Sequence, residues 1–281
     1  MIPNFYILLA VALPAGILGA MTGIGGGLVL IPFLTLIGVP IKYAIAASLL
    51  STIATSSGSA SAYVRDHIAN IRIGMYLEMF TAIGAIIGAK ILIILPTKDQ
   101  FILFFIFSFI LLFSWWQLLT KKGKEELPFT AQEDSFSHWL GLEGFYYDKA
   151  SDSWIFYKTK HPIIGGVAML GAGLIAGLLG IGAGSVKVTI HDLIMNMPSK
   201  VSTSTSNFII GVTALSGSSV FIAQGLVNIG LVVPIVIGVT FGAILGTKLM
   251  VRMKNLQIRK LFLVVLLVLG IEMLFRGFGV V

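Results

Sequence analysis

Apolar positions run along this chain in long blocks separated by short polar or glycine-rich breaks. The blocks fall at about 4–22, 27–38, 43–64, 73–95 and 100–120, and after a polar interval they resume at about 162–180, 184–196, 201–224, 229–251 and 257–280. A helix needs ~20 apolar residues to cross a ~30 Å hydrocarbon core, and six of the ten blocks are that long. The 27–38 and 184–196 blocks are not; at ~1.5 Å per residue they cover little more than half the core. The pattern predicts half-helices there. Each follows a glycine cluster, "MTGIGGG" at 21–27 and "GIGAG" at 180–184. Glycine costs a helix interior ~1 kcal/mol per residue, so both clusters should break the helix. They also let another group approach the backbone closely.

Composition sharpens the class. The 281 residues are 57% hydrophobic and 11% charged, whereas soluble domains are roughly 25% charged. The reading is an all-α polytopic membrane protein with 8–10 membrane segments. Three regions are expected: a first membrane unit at 1–120, a polar insertion at 121–161 and a second membrane unit at 162–281. Within the insertion, "GFYYDKASDSWIFYK" carries aromatics around a Lys-Ala-Ser-Asp turn, compatible with either a small hairpin or a solvated linker. The N-terminus lacks a basic leader and reads as a first membrane segment. With no cysteine, disulfide frameworks and thiol catalysis are excluded.

The two membrane units repeat one another. Gly16, Gly23, Ile24, Gly25 and Gly27 match Gly173, Gly180, Ile181, Gly182 and Gly184 at an offset of 157. One residue is then inserted, and at an offset of 158 Pro40, Lys42, Ser48, Thr55, Ser61 and Asn70 match Pro198, Lys200, Ser206, Thr213, Ser219 and Asn228. "GAIIGAK" at 84–90 meets "GAILGTK" at 242–248. Five segments per unit is an odd number, so the halves are expected to lie in opposite orientations, as two inverted-topology repeats.

The net charge of +7 is informative through its placement rather than its sum. With both termini outside, the inner loops carry Arg65, Arg72, Lys121, Lys122, Lys124, Lys158, Lys160, Lys200, Arg252, Lys254, Arg259 and Lys260. The outer side keeps Lys42, Lys98 and Arg276. That distribution satisfies the positive-inside rule and makes the 121–160 loop cytoplasmic. It also explains the basic balance without nucleic acid.

Inverted repeats with interrupted helices are a transporter architecture, and the paired broken segments point to the binding site. The motifs "GIGGGLVLIPFL" and "GIGAGSVKV", each followed by a Pro-x-Lys turn, resemble the TauE/SafE family, the sulfite exporter or sulfonate permease family. The small-polar stretches "ASLLSTIATSSGSASAY" and "STSNFIIGVTALSGSSVF" carry the resemblance further. It implies secondary transport of a small sulfur-containing anion across the cell membrane, with no cofactor and no enzymatic activity. The alternative is an anion channel of the same architecture. The expected partners are the anion and the bilayer, with a homodimer as one assembly. The second half departs from the family pattern at Ala183, Val188 and Thr189, and its half-helix carries Lys187, His191 and Asp192.

Helix N-termini present unpaired N–H groups and partial positive charge, so they bind anions. The expected site is Gly25, Gly26 and Gly27 facing Gly182, Ala183 and Gly184. Ser48, Ser51, Thr52 and Thr55 fall on one helical face at i, i+3, i+4 and i+7, and Thr205, Ser206 and Asn207 open the matching helix. Their hydroxyls and amide are candidate donors, although small polar residues also pack between membrane helices. A lysine near mid-membrane is costly and usually functional. Lys187 is therefore a candidate ligand, or a structural partner of Asp192 or Asp66. His191 and Asp192 are candidate coupling groups. Lys90 and Lys248 read as interface-snorkelling side chains, and Glu78 and Glu272 as minor candidates for proton carriage. No metal-ligand spacing joins the four histidines.

Overall fold

The computed structural model describes residues 4–22, 25–96, 101–120, 135–148, 152–252 and 255–279. Among the described residues the regular structure is helical except for one hairpin. The first five helices are α1 (Phe5–Thr22), α2 (Gly27–Leu36), α3 (Ile41–Arg65), α4 (Ile71–Ile94) and α5 (Phe101–Thr120). A short α6 (Ser135–Trp139) precedes strands β1 (Glu143–Asp148) and β2 (Ser153–Lys158). Then come α7 (Pro162–Leu179), α8 (Gly184–Thr189), a π turn (Ile190–Ile194), α9 (Ser199–Ala223), α10 (Ile229–Arg252) and α11 (Asn255–Gly277). Gly23, Ile24, Lys98, Lys121, Lys122, Lys124 and Lys254 lie outside the described residues.

Both anticipated breaks are present, and α2 and α8 begin at Gly27 and Gly184. The bounds of the other elements also correspond. α7 starts and ends 157 positions after α1, and α9 and α10 start and end 158 positions after α3 and α4. The local chemistry follows suit. Pro40 and Pro198 precede α3 and α9 with nearly equal dihedrals, φ −57 ψ 138 and φ −60 ψ 139. Proline fixes φ there and lacks the N–H that a first turn would leave unpaired. Asn70 caps α4 by accepting from Ile73 N at 3.1 Å, and Asn228 accepts from Leu231 N at 3.3 Å.

Among the described residues, four helices are long and apolar enough to cross a bilayer: Ile71–Ile94, Pro162–Leu179, Lys200–Ala223 and Ile229–Leu249. Their outward faces are apolar. On α4, Met75, Met79, Ile83, Ile87 and Ile91 form an exposed stripe at four-residue spacing; on α10 the stripe is Val233, Ile237, Phe241, Leu245 and Leu249. Large apolar faces of this kind suit a hydrocarbon solvent.

The inward faces use glycine to bring backbones together. α4 packs on α7 and α1 on α10. A Cβ on Gly84 would lie 2.1 Å from the Leu170 carbonyl oxygen, and one on Gly242 would lie 2.2 Å from that of Leu13. Gly173 approaches the Thr81 carbonyl and Gly16 the Val239 carbonyl in the same way. Close backbone approach maximises dispersion contacts where lipid supplies no hydrophobic drive. Lys90 and Lys248, six residues beyond Gly84 and Gly242 on the same helices, are exposed, as snorkelling requires.

Within the insertion, β1 and β2 pair antiparallel as a hairpin, with Phe145 opposite Phe156 and Tyr147 opposite Trp154. Alternation puts Tyr146 and Tyr157 on the buried face, in one cluster with Leu142, Ile73, Leu77, Met169 and Met195. Asn70 Nδ2 donates to the Tyr157 hydroxyl at 2.9 Å, and Lys160 N donates to the Met195 carbonyl at 3.0 Å. The hairpin is thereby tied to the start of α4 and to the end of the π turn.

Candidate functional site

The two glycine breaks meet in the interior. Gly25 and Gly182 hold matching left-handed dihedrals, φ 84 and φ 67, that a side chain would strain. The next residues differ: Gly26 is right-handed at φ −64, whereas Ala183 is left-handed at φ 48. Ser48 donates to the Gly180 carbonyl at 2.6 Å. A Cβ on Gly27 would lie 2.1 Å from Ser48 Oγ, 2.7 Å from the Gly180 oxygen and 3.2 Å from Thr52 Oγ1. Only a glycine fits between these groups, so the start of α2 rests directly against the second break.

The hydroxyl face of α3 is buried as a whole. Ser48, Ser51, Thr52 and Thr55 are each fully buried. Ser51 donates to the Ser48 carbonyl at 2.7 Å and Thr55 to the Ser51 carbonyl at 3.0 Å, so both turn back on their own helix. Thr52 Oγ1 has no hydrogen-bond partner, although it borders Gly25 and Gly27. Leaving a buried hydroxyl unpaired costs about 1–3 kcal/mol.

On α9 the three anticipated residues divide. Thr205 Oγ1 accepts from Asn70 N at 3.0 Å and so serves the start of α4. Ser206 lies 3.5 Å from the Gly184 carbonyl, at the second break. Asn207 joins α9 to α3: its side-chain oxygen accepts from Ser59 at 3.1 Å, and its carbonyl accepts from Ser56. His191 Nδ1 is 3.2 Å from the Ser202 carbonyl, which only a protonated Nδ1 can satisfy. Its Nε2 is buried without a partner. Asp192, next along the π turn, is partly buried.

Lys187 is fully buried and donates from Nζ to Thr213 Oγ1 at 2.7 Å. The same hydroxyl lies 3.2 and 3.4 Å from the two carboxylate oxygens of Glu78, 3.2 Å from Thr81 Oγ1 and 2.8 Å from the Ile209 carbonyl. Lysine and glutamate thus share one threonine hydroxyl across α8, α9 and α4. Neither Asp192 nor Asp66 occupies that position. The sequence offers Glu78 only as a minor candidate and does not mark Thr213 as part of the site. The available signal was that Glu78 is the sole acidic residue of the 73–95 block. The counterparts of Lys187, Thr213 and Glu78 at the repeat offsets are Leu30, Thr55 and Val236, so only one of the two equivalent positions is charged.

Glu272 pairs instead with Arg276 on its own helix at 2.6 Å. Among the described residues, no group of three or more acidic or histidine side chains could hold a metal ion.

A bundle of membrane-spanning helices with broken segments meeting inside, around buried hydroxyls and one charge pair, defines a multi-pass membrane transporter rather than an enzyme. The chain matches the Sulfite exporter TauE/SafE family over residues 8–273, and it belongs to that family. It is 28% identical to the "Probable membrane transporter protein YunE" of Bacillus subtilis (strain 168), over 98% of each chain. It is 24% identical to the "Probable membrane transporter protein YdhB" of the same organism, over 92% of this chain and 96% of the relative. No solved structure matches.

Proposed function

We propose that the protein is a secondary transporter that carries a small sulfur-containing anion, such as sulfite or a sulfonate, across the cell membrane. The anion binds between the two glycine breaks, where Gly25–Gly27 and Gly182–Gly184 offer backbone N–H groups. Lys187 supplies a full positive charge. The chain is arranged as two inverted halves with both termini outside and the hairpin on the cytoplasmic side.

One observation carries the site: Thr52 Oγ1 is a buried hydroxyl without a partner, bordering the glycines of the first break. Native interiors seldom leave such a group unpaired, and an anion oxygen accepts the hydrogen it has to give. The inverted halves are supported by the constant spacing of element bounds and by the matched glycine approaches, Gly84 to Leu170 and Gly242 to Leu13. His191 and Asp192 remain candidate coupling groups beside Lys187, and a homodimer remains the proposed assembly.

The test is a thermal-shift panel on detergent-purified protein with sulfite, thiosulfate, methanesulfonate, taurine, phosphate and chloride. Selective stabilisation by a sulfur oxyanion, weakened in Thr52→Val and Lys187→Leu, is expected. An equal response to every anion would overturn the assignment. Flux far above ~10³ ions per second, the upper range of ordinary turnover, would assign a channel instead.

A further inference from the structure

The Lys187–Thr213–Glu78 triad has an arrangement that the transport reading leaves unused. Thr213 has one hydroxyl proton and five polar neighbours. Lys187 has no acceptor capacity, so it must donate, and Thr213 Oγ1 accepts at 2.7 Å. The threonine proton then has three destinations: the Ile209 carbonyl at 2.8 Å, the Glu78 carboxylate at 3.2 Å or the Thr81 hydroxyl oxygen at 3.2 Å. If it points to Glu78, the carboxylate is ionised and hydrogen-bonded. If it points to Ile209 or Thr81, a neutral Glu78 carboxyl donates to the threonine oxygen instead. The same heavy-atom positions accommodate both forms, and they differ by one proton on Glu78 and one hydroxyl rotation.

We propose that Glu78 is the proton-coupling residue of the transporter, taking up one proton from solution when an anion occupies the charge of Lys187. The inference rests on the anion-site reading given above. Without the anion, lysine and ionised glutamate share Thr213, and the pair is neutral. When a monoanion binds, the lysine keeps its charge and its counterion becomes the substrate. Glu78 then takes a proton, so the buried site is again neutral. A low-dielectric interior penalises any net charge strongly. Anion and proton therefore enter together, and a monoanion crosses without net charge movement.

The other charges near Glu78 are few. From α8 comes Lys187, and from the π turn His191, one turn further on. α7 contains no titratable side chain, and α9 carries only Lys200, in its first turn. α3 carries Lys42 and Tyr43 in its first turn and Tyr63 and Arg65 in its last turn. The hairpin packed at the start of α4 contributes the phenols of Tyr146 and Tyr157. On α4 itself, Tyr76 donates to the Pro162 carbonyl, and Arg72 and Lys90 are exposed. None of these shares the Thr213 hydroxyl. The pairing itself joins opposite halves of the chain, since Glu78 and Thr213 are 135 positions apart.

The experiment counts protons. Methanesulfonate is titrated calorimetrically into purified protein near neutral pH, in two buffers that differ in ionisation enthalpy. Thiosulfate replaces it if the panel finds a divalent anion preferred. Neither probe takes up a proton at that pH. The wild type is expected to take up close to one proton per monoanion. Glu78→Gln removes the competing charge, so it should bind the anion more tightly, by a factor within the ~5–150-fold span of ordinary site coupling, and take up none. Thr213→Val, which removes the shared hydroxyl, should reduce the proton count while Thr213→Ser restores it. Anion binding by the wild type with no proton uptake overturns the inference and leaves the transport reading intact. Uptake that survives in Glu78→Gln and vanishes in His191→Gln overturns it in favour of the histidine. If the wild type binds no anion at all, both readings fall.

Discussion

Ser48 donates its hydroxyl proton to the Gly180 carbonyl at 2.6 Å, across the contact between the two broken segments. That bond leaves no room for a side chain on Gly27, whose Cβ would lie 2.1 Å from Ser48 Oγ. Gly27→Ala should therefore push Ser48 off Gly180. The expected cost is about 1–3 kcal/mol, typical of forced overpacking, together with loss of anion-induced stabilisation. Gly171→Ala is the matched control, because nothing lies within 4 Å of its Cβ position. Melting temperatures of the two variants in one detergent, with and without the preferred anion, give the comparison. Equal behaviour would remove the special role of Gly27.

Lys187 and Glu78 invite a stability cycle. Breaking one side of a buried charge pair typically costs about 3–5 kcal/mol, while replacing both by apolar groups is often neutral. The apolar version already exists in this chain as Leu30 and Val236. Lys187→Leu and Glu78→Val should each lower the melting temperature, and the double variant should recover most of the loss. It should still fail to bind anions. Additive losses in the double variant would show that the two residues are not coupled.

The helix contacts predict a symmetry in mutational cost. Gly84→Ala drives a Cβ against the Leu170 carbonyl and Gly242→Ala against that of Leu13, at 2.1 and 2.2 Å. Backbone atoms cannot step aside, so both should destabilise by about 1–3 kcal/mol. Parallel thermal melts check whether the two losses agree.

The hairpin anchor should be alkali-sensitive. Burial raises the Tyr157 phenol above its ordinary 10.0, with the Asn70 donor partly opposing the shift. A group whose folded value is raised contributes stability that is complete below the unfolded value and is lost as pH rises through the folded one. The hairpin should therefore stay docked at neutral pH and release only above ~10. Tyr157→Phe should remove the bond to Asn70, at a cost of about 0.5–1.5 kcal/mol. Trp154 fluorescence followed through an alkaline titration reports the release.

Much of this structure was legible in the sequence because it is written in short-range signals. Glycine clusters stop helices wherever they occur, Pro40 and Pro198 start them, and Asn70 and Asn228 cap them, so the breaks and element bounds follow from local chemistry. The interior wiring did not follow. Thr205 looked equivalent to Ser206, yet it is spent on the Asn70 amide. Glu78 was visible as a lone acid in an apolar block, but its link to Lys187 runs through Thr213 across the two halves. No periodicity encodes a contact of that span. The insertion's aromatic alternation allowed a hairpin, while its docking depended on Tyr157 meeting Asn70 from a distant segment.

The exchange of partners between the halves bears on how the chain is made. α1 packs on α10, and α4 on α7. During synthesis α1 and α4 leave the ribosome with their glycine-lined faces uncovered, and those faces stay uncovered until the second half is inserted. Neither half is then a free-standing folding unit. Expressed alone, each should be taken by membrane quality control, whereas the two expressed together should assemble from separate polypeptides cut within 121–134.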